Sequence, residues 1–152
     1  MPRRLAFLLC TWFGLGRMPK APGTWGSVGA LPFAWAIQYA GGPWALVVAA
    51  TLLSLLSLWA IREYLSHWPG EDPGEIVIDE VAGQWLTLAF VPLDPLLYLI
   101  GFVVFRFFDI TKIWPVCWAD RNLHGAHGVL VDDLLAGLYG MGVMLALAHF
   151  WW

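Results

Sequence analysis

Charge is the first thing this chain lacks. Of its 152 residues, 12% are Asp, Glu, Lys or Arg, about half the share of a soluble domain. With 60% hydrophobic residues and 11 Trp, a water-soluble fold would be left with a greasy surface. The bilayer is the simpler solvent. Cysteine is scarce too. Cys10 and Cys117 lie far apart and form no CxxC pair, so they carry no information on redox compartment or metal. No strand-like alternation is sustained, and there is no internal repeat or low-complexity tract. The basic and apolar start, MPRRLAFLLCTWF, is followed by no small-x-small cleavage site. Leu9 before Cys10 is not the small residue expected at a lipoprotein site. This segment is therefore expected to be retained, as a helix lying in the interface. The length fits one domain over residues 1–152.

What charge there is sits in three clusters. Arg3, Arg4, Arg17 and Lys20 form a basic start. Arg62, Glu63, Glu71, Asp72, Glu75, Asp79 and Glu80 form an acidic group, and Arg106 to Asp133 a mixed one. Asp94 stands alone. Between the clusters run uncharged stretches. Ser27 to Ile61 holds no charge and is broken by Gly41-Gly42-Pro43, a signal for two helices joined by a tight turn. Val81 to Phe105 is apolar around a second turn, Pro92-Leu93-Asp94-Pro95. Leu134 to Trp152 is apolar throughout. A spanning helix needs about 20 residues. The expected fold is all-α: a polytopic membrane bundle of about four to five embedded helices, with interfacial or re-entrant segments. Both turns then fall on one side and all three clusters on the other. The basic N-terminus makes the cluster side cytoplasmic. Glu71, Asp72 and Asp94 read as solvated loop charges.

Three motifs carry chemistry. Gly14 to Ser27 is rich in Gly and Pro, holds Arg17 and Lys20, and leads into an apolar helix. Thr24 or Ser27 is a plausible N-cap, and such a turn can offer N–H groups to an anion. It is not a Walker A loop, because no GK[ST] follows the glycines. Without phosphate it is a turn with basic membrane anchors. Asp79-Glu80 stands at the mouth of an apolar helix. The helix dipole alone favours acids there, but two carboxylates entering a membrane are costly unless paired or metal-bound. The third motif is the densest. Arg106, Asp109 and Lys112 recur at i, i+3, i+6, so on a helix they share a polar stripe. Asp120 and His124 are four apart, on one helical face with Gly125 ending it, and Asp132-Asp133 opens the last apolar helix. His124 and His127 have a loose metal-like spacing, although such pairs are usually not sites. Six acids (Asp79, Glu80, Asp109, Asp120, Asp132, Asp133) thus meet a few cations at one interface. Oxygen-only donors suit a hard cation such as Mg²⁺. Metal, carboxylates and a cationic clamp are what phosphoryl chemistry needs, and a membrane setting makes the substrate a lipid phosphate.

These motifs, Pro19 to Ser27, Asp79-Glu80-Val81-Ala82-Gly83, Arg106 to Pro115 and Asp120 to Gly137, resemble in order those of bacterial phosphatidylglycerophosphatase A. The resemblance covers nearly the whole chain. It implies Mg²⁺-dependent hydrolysis of phosphatidylglycerophosphate to phosphatidylglycerol in the bacterial inner membrane, with the site facing the cytoplasm. Ile113 stands where the family has Pro, and Ala126 where it has a second Gly; altered local backbone is expected there, with activity kept. The expected metal ligands are Asp79, Glu80, Asp132 and Asp133. Asp109 and Asp120 would complete the shell or position water. Arg106 and Lys112 would hold the phosphate. Lys20, Gly23, Thr24, Ser27, Arg121 and His124 are the expected substrate contacts. The partners are phospholipid and bilayer, with no nucleic acid; oligomeric state is left open. A CDP-alcohol phosphotransferase is disfavoured because its D-G-x-x-A-R pattern is absent. The alternative from another class is a small ion or proton transporter using interfacial acids; phosphate release from lipid separates the two. A purely structural membrane protein gives no reason for the acid clusters.

Overall fold

A computed structural model describes residues 2–68 and 73–151. It is all-α, with no strand among the described residues. The helices are α1 (Pro2–Cys10), α2 (Pro22–His67), α3 (Ile78–Leu88), α4 (Pro95–Thr111), α5 (Val116–Asn122) and α6 (Gly125–Trp151), with short 3₁₀ turns at Leu15–Arg17 and Pro73–Glu75. Glu71 and Asp72, expected as loop charges, lie outside the described residues. By length and composition, α2 and α6 are able to cross a membrane.

The 46 residues of α2 would span about 69 Å as one straight helix. They do not run straight. Gly42 has φ 77° and ψ −172°, open to glycine and closed to side chains with a Cβ, and Pro43 starts the second arm with no N–H to lose. Contacts along α3 show that the arms run antiparallel. At one end, Gly26 packs on Val77 and the Tyr64 hydroxyl donates to Glu75 (3.0 Å). At the other, Gln38 donates to the Val91 carbonyl (2.7 Å) and Trp44 meets Phe90 edge-on. The expected hairpin at 41–43 is present.

α3 forms the centre of the bundle, buried on nearly every side between α2 and α6. Its contact with α6 is made by backbone. A Cβ on Gly137 would sit 2.5 Å from the Gly83 carbonyl oxygen and 2.9 Å from its Cα. Thr87 adds a hydrogen bond to the Gly137 carbonyl (3.2 Å). Small residues allow such approach between apolar helices, where dispersion and interhelical hydrogen bonds replace the hydrophobic drive.

The second turn also forms. Asp94 is exposed, as expected, but it also caps α4, accepting from the Leu96 and Leu97 amides (2.8 and 3.1 Å) with Pro95 at the first helical position. At the other end, α1 lies against α2 and α3. Phe7 stacks on Tyr64, and the Val77 amide donates to the Cys10 carbonyl (2.7 Å).

Three local expectations are corrected. Ala21, with φ 49°, is the N-cap of α2, so Thr24 and Ser27 lie inside the helix; Pro22 at the first helical position fixes the earlier start. α6 begins at Gly125, because Ala126 and Leu130 join the core and extend the helix backwards. Asp132 and Asp133 therefore sit two turns inside α6. α5 ends at Asn122, with Leu123 extended, so Asp120 and His124 share no helical face.

Candidate active site

The described residues of all three charged clusters gather at the end of the bundle where α3 and α6 begin and α4 ends. A cleft of about 470 Å³ opens there, lined by all six acids singled out from the sequence and by Lys112 and His124. Each helix contributes by register. Asp79 and Glu80 occupy the first turn of α3, Asp109 the last turn of α4, and Asp132 and Asp133 adjacent faces of α6. Asp79, Asp109, Asp132 and Asp133 are all buried.

Two sub-clusters form. In the first, one oxygen each from Glu80, Asp109 and Asp133 lie within 4.8 Å of one another. Asp79, also buried, stands beside Glu80 in the first turn of α3. Ionised carboxylates only accept, so such a group needs a proton or a cation between its members. Arg106 braces this group: its Nη1 donates to Asp109 and lies 3.7 Å from Glu80 Oε1. In the second sub-cluster, Lys112 Nζ bonds Asp132 Oδ2 (2.7 Å) and lies 3.3 Å from Asp120 Oδ1. Lys112 leaves the α4 stripe because it adopts φ 49°, the left-handed C-cap of the helix, which turns its side chain toward α6. Burial alone would lower the Lys112 pKa. The hydrogen bond to Asp132 and the charges of Asp132, Asp133 and Asp120 more than reverse this, so the ammonium is held above the ordinary lysine value and stays protonated.

The expected metal set is thus regrouped. Asp109 stands with Glu80, Asp133 and Asp79, whereas Asp132 turns to Lys112. The donors fit Mg²⁺: all are hard oxygens, from three helices, with no His or Cys in the group. Asp79 Oδ1 and Glu80 Oε2 are buried with no hydrogen-bond partner, as free ligand positions would be. Arg106, expected to grip phosphate, is not on the cleft wall and instead balances the acids.

The expected substrate contacts are mostly elsewhere. His124 lines the cleft, but Lys20, Gly23, Thr24, Ser27 and Arg121 do not. Gly23 packs directly on the Glu80 carboxylate and Ser27 is fully buried, so these two residues stand behind the acids. Lys20 and Arg121 are exposed. His127 faces Arg62 of α2 (2.9 Å), which separates it from His124. Sequence reasoning missed Glu75, which pairs with Arg17 (3.7 Å) and bonds Tyr64. It also missed Gln84, whose position inside an apolar helix was the available signal.

Comparison with known proteins gives the family. The family model described as Phosphatidylglycerophosphatase A matches residues 8–148. The chain is 37% identical to Phosphatidylglycerophosphatase A of Escherichia coli over 95% of its own length and 84% of that protein. It is 33% identical to the Haemophilus influenzae protein of the same name, over 93% and 88% of the two chains. A Bacteroides thetaiotaomicron protein, provisionally named a phosphatidylinositol-3-phosphatase, is 36% identical over 97% and 96%. No solved structure matches the chain. In sequence over nearly its whole length, this chain belongs to the phosphatidylglycerophosphatase A family.

Proposed function

We propose that the cleft hydrolyses the terminal phosphomonoester of phosphatidylglycerophosphate, giving phosphatidylglycerol and phosphate, with Mg²⁺ as cofactor. The observation that carries this is the convergence of six carboxylates and a protonated lysine in one cleft at one end of an apolar bundle. Bound Mg²⁺ supplies charge to the phosphoryl oxygens and lowers the pKa of the attacking water. Glu80, Asp109, Asp133 and Asp79 would hold it. Lys112 faces the cleft and would bind a phosphate oxygen, offsetting charge as the alkoxide leaves. Asp120, at the mouth, is the acid best placed to take a proton from water, and His124 would contact the headgroup. Arg106 keeps Glu80 and Asp109 in place.

The purified protein in detergent should release phosphate from phosphatidylglycerophosphate, lose this activity in EDTA and regain it with Mg²⁺. Undiminished release after thorough chelation would remove the metal from the reading. Phosphatidylinositol 3-phosphate belongs in the same assay, since both lipids carry a phosphomonoester. Faster turnover of the inositol lipid would move the substrate toward the activity named for the Bacteroides relative.

The placement we infer is the bacterial inner membrane. Both arms of α2, together with α4 and α6, would cross it; α3 and the segment 89–94 that follows it would make the crossing between the second arm of α2 and α4, and α1 and α5 would lie at the interface. Exposed Leu52 and Leu55 on α2, Leu99 and Val103 on α4, and Leu138 and Leu145 on α6 suit a lipid-facing surface. Arg3, Arg4, Arg17 and Lys20 set the site end to the cytoplasm. Single cysteines at Ser66 and Asn122, in a background lacking Cys10 and Cys117, should label from the cytoplasmic side, and one at Leu93 from the other. Labelling of positions 66 and 122 from opposite sides would refute this arrangement.

A further inference from the structure

Gln84 is fully buried, and neither its amide nitrogen nor its carbonyl oxygen has a hydrogen-bond partner. Trp85 and Thr87, on the same helix, are not left this way. Trp85 Nε1 donates to the Ala30 carbonyl (3.0 Å), and Thr87 donates to Gly137 (3.2 Å). A buried amide without partners costs free energy and returns nothing to the fold. Such exceptions concentrate where a sequence serves function at the expense of packing.

Around Gln84 the orphaned atoms have a common focus. Glu80 precedes it by four residues, which places the two side chains next to each other on one helical face. Glu80 Oε2 is buried and unpartnered, and so are Ser27 Oγ on α2 and Arg106 Nε on α4. Ser27 follows Gly26, where an added Cβ would stand 3.4 Å from Glu80 Oε2. Arg106 Nη1 is 3.7 Å from Glu80 Oε1. Gln84 of α3, Arg106 of α4 and the Gly26 turn of α2 thus stand around one carboxylate. An amide is suited to this place: its NH₂ donates to a carboxylate, and its carbonyl accepts from a guanidinium N–H.

We propose that Gln84 is a positioning residue. It fixes the Glu80 carboxylate, through an enclosed water, in the orientation that faces Asp109 and Asp133. Gln84 is not on the cleft wall, so it acts through Glu80 and touches no substrate. The proposal rests on reading the cleft as the phosphatase site.

The test is Gln84→Met, which keeps length and removes the amide, in the full chain in detergent. Turnover, KM, Mg²⁺ half-activation and melting temperature with and without Mg²⁺ are all measured. Loss of a group that orients a metal ligand typically costs about 10–100-fold. The expected result is a kcat lowered by about 10-fold or more, KM within about twofold, and a higher Mg²⁺ requirement. The melting temperature without Mg²⁺ should equal or exceed that of the wild type, because the lost amide bonds no other protein group. The rise in melting temperature on adding Mg²⁺ should shrink. Unchanged kcat with an unchanged Mg²⁺-induced rise would overturn the proposal. A lowered melting temperature without Mg²⁺, or failure to fold, would also overturn it by showing that the amide supports the fold. If the wild type releases no phosphate yet is stabilised by Mg²⁺, the function reading fails, and the melting shift alone still judges Gln84.

Discussion

Asp133→Asn should lower phosphate release by about 100-fold or more, as removal of a key electrostatic group typically does, while leaving the protein folded. Asp133 is the acid around which the others gather. It supplies, with Glu80 and Asp109, one of three oxygens grouped within 4.8 Å. Asparagine preserves its shape and removes its charge. Without Mg²⁺ the variant should melt at or above the wild-type temperature, since one like charge has left a crowded buried cluster. Addition of Mg²⁺ should stabilise it less than the wild type, because binding to the folded state is what raises stability. Asp79→Asn and Asp109→Asn should behave in the same way. Asp94→Asn is the control: it lies at the opposite end, and asparagine caps helices as well as aspartate, so turnover should be unchanged. A folded Asp133→Asn or Asp109→Asn protein with near-normal turnover at low Mg²⁺ would show that the site is misassigned.

Gly137→Ala should be among the more damaging one-carbon changes, costing about 3 kcal/mol or more, at the upper end for overpacking. Its Cβ would meet three backbone atoms of Gly83 at 2.5 to 3.0 Å. Backbone cannot swing aside as a side-chain tip can, so α3 and α6 would have to part, and Asp79 and Asp133 with them. A lower melting temperature and lost activity are expected together. Gly142, five residues further along the same helix, has nothing within 4 Å of an added Cβ, so Gly142→Ala should be harmless or slightly stabilising. Equal stability of the two variants would mean that α3 and α6 do not touch through backbone.

Much of the site was legible because charge is rare here. In a chain with so few ionisable groups, Asp79-Glu80, Asp109, Asp120 and Asp132-Asp133 stand out, and the turns at 41–43 and 92–95 place them at one end. The turn chemistry was read from Gly and Pro alone, and both turns formed. Helix boundaries were less legible. The apolar run after Asp133 suggested a helix start there, but hydrophobicity marks what a helix buries and not where it begins; Gly125 and the packing of Ala126 and Leu130 decided that. The N-terminal cap fell on Ala21, which no capping preference would pick. The division of cations was hidden for a different reason. Arg106 and Lys112 look alike on a helical stripe, and only the left-handed turn at Lys112 sends one behind the acids and the other into the cleft. Gln84 was passed over because an amide carries no charge to draw attention to it.

The reversal at Gly42 settles a question of parity. A chain that returns to its starting end of a bundle must traverse it an even number of times. The two arms of α2 are one such pair, and α3 with α4 run out and back again. Were Gly42 helical, the long segment would make one traverse, and every later element would change ends. Asp79, Glu80 and Asp109 would then be divided from Arg17 and from the Gly23 contact that backs Glu80. One dihedral angle, far from the cleft and touching none of its residues, therefore decides whether the cations and the acids are counted on the same side.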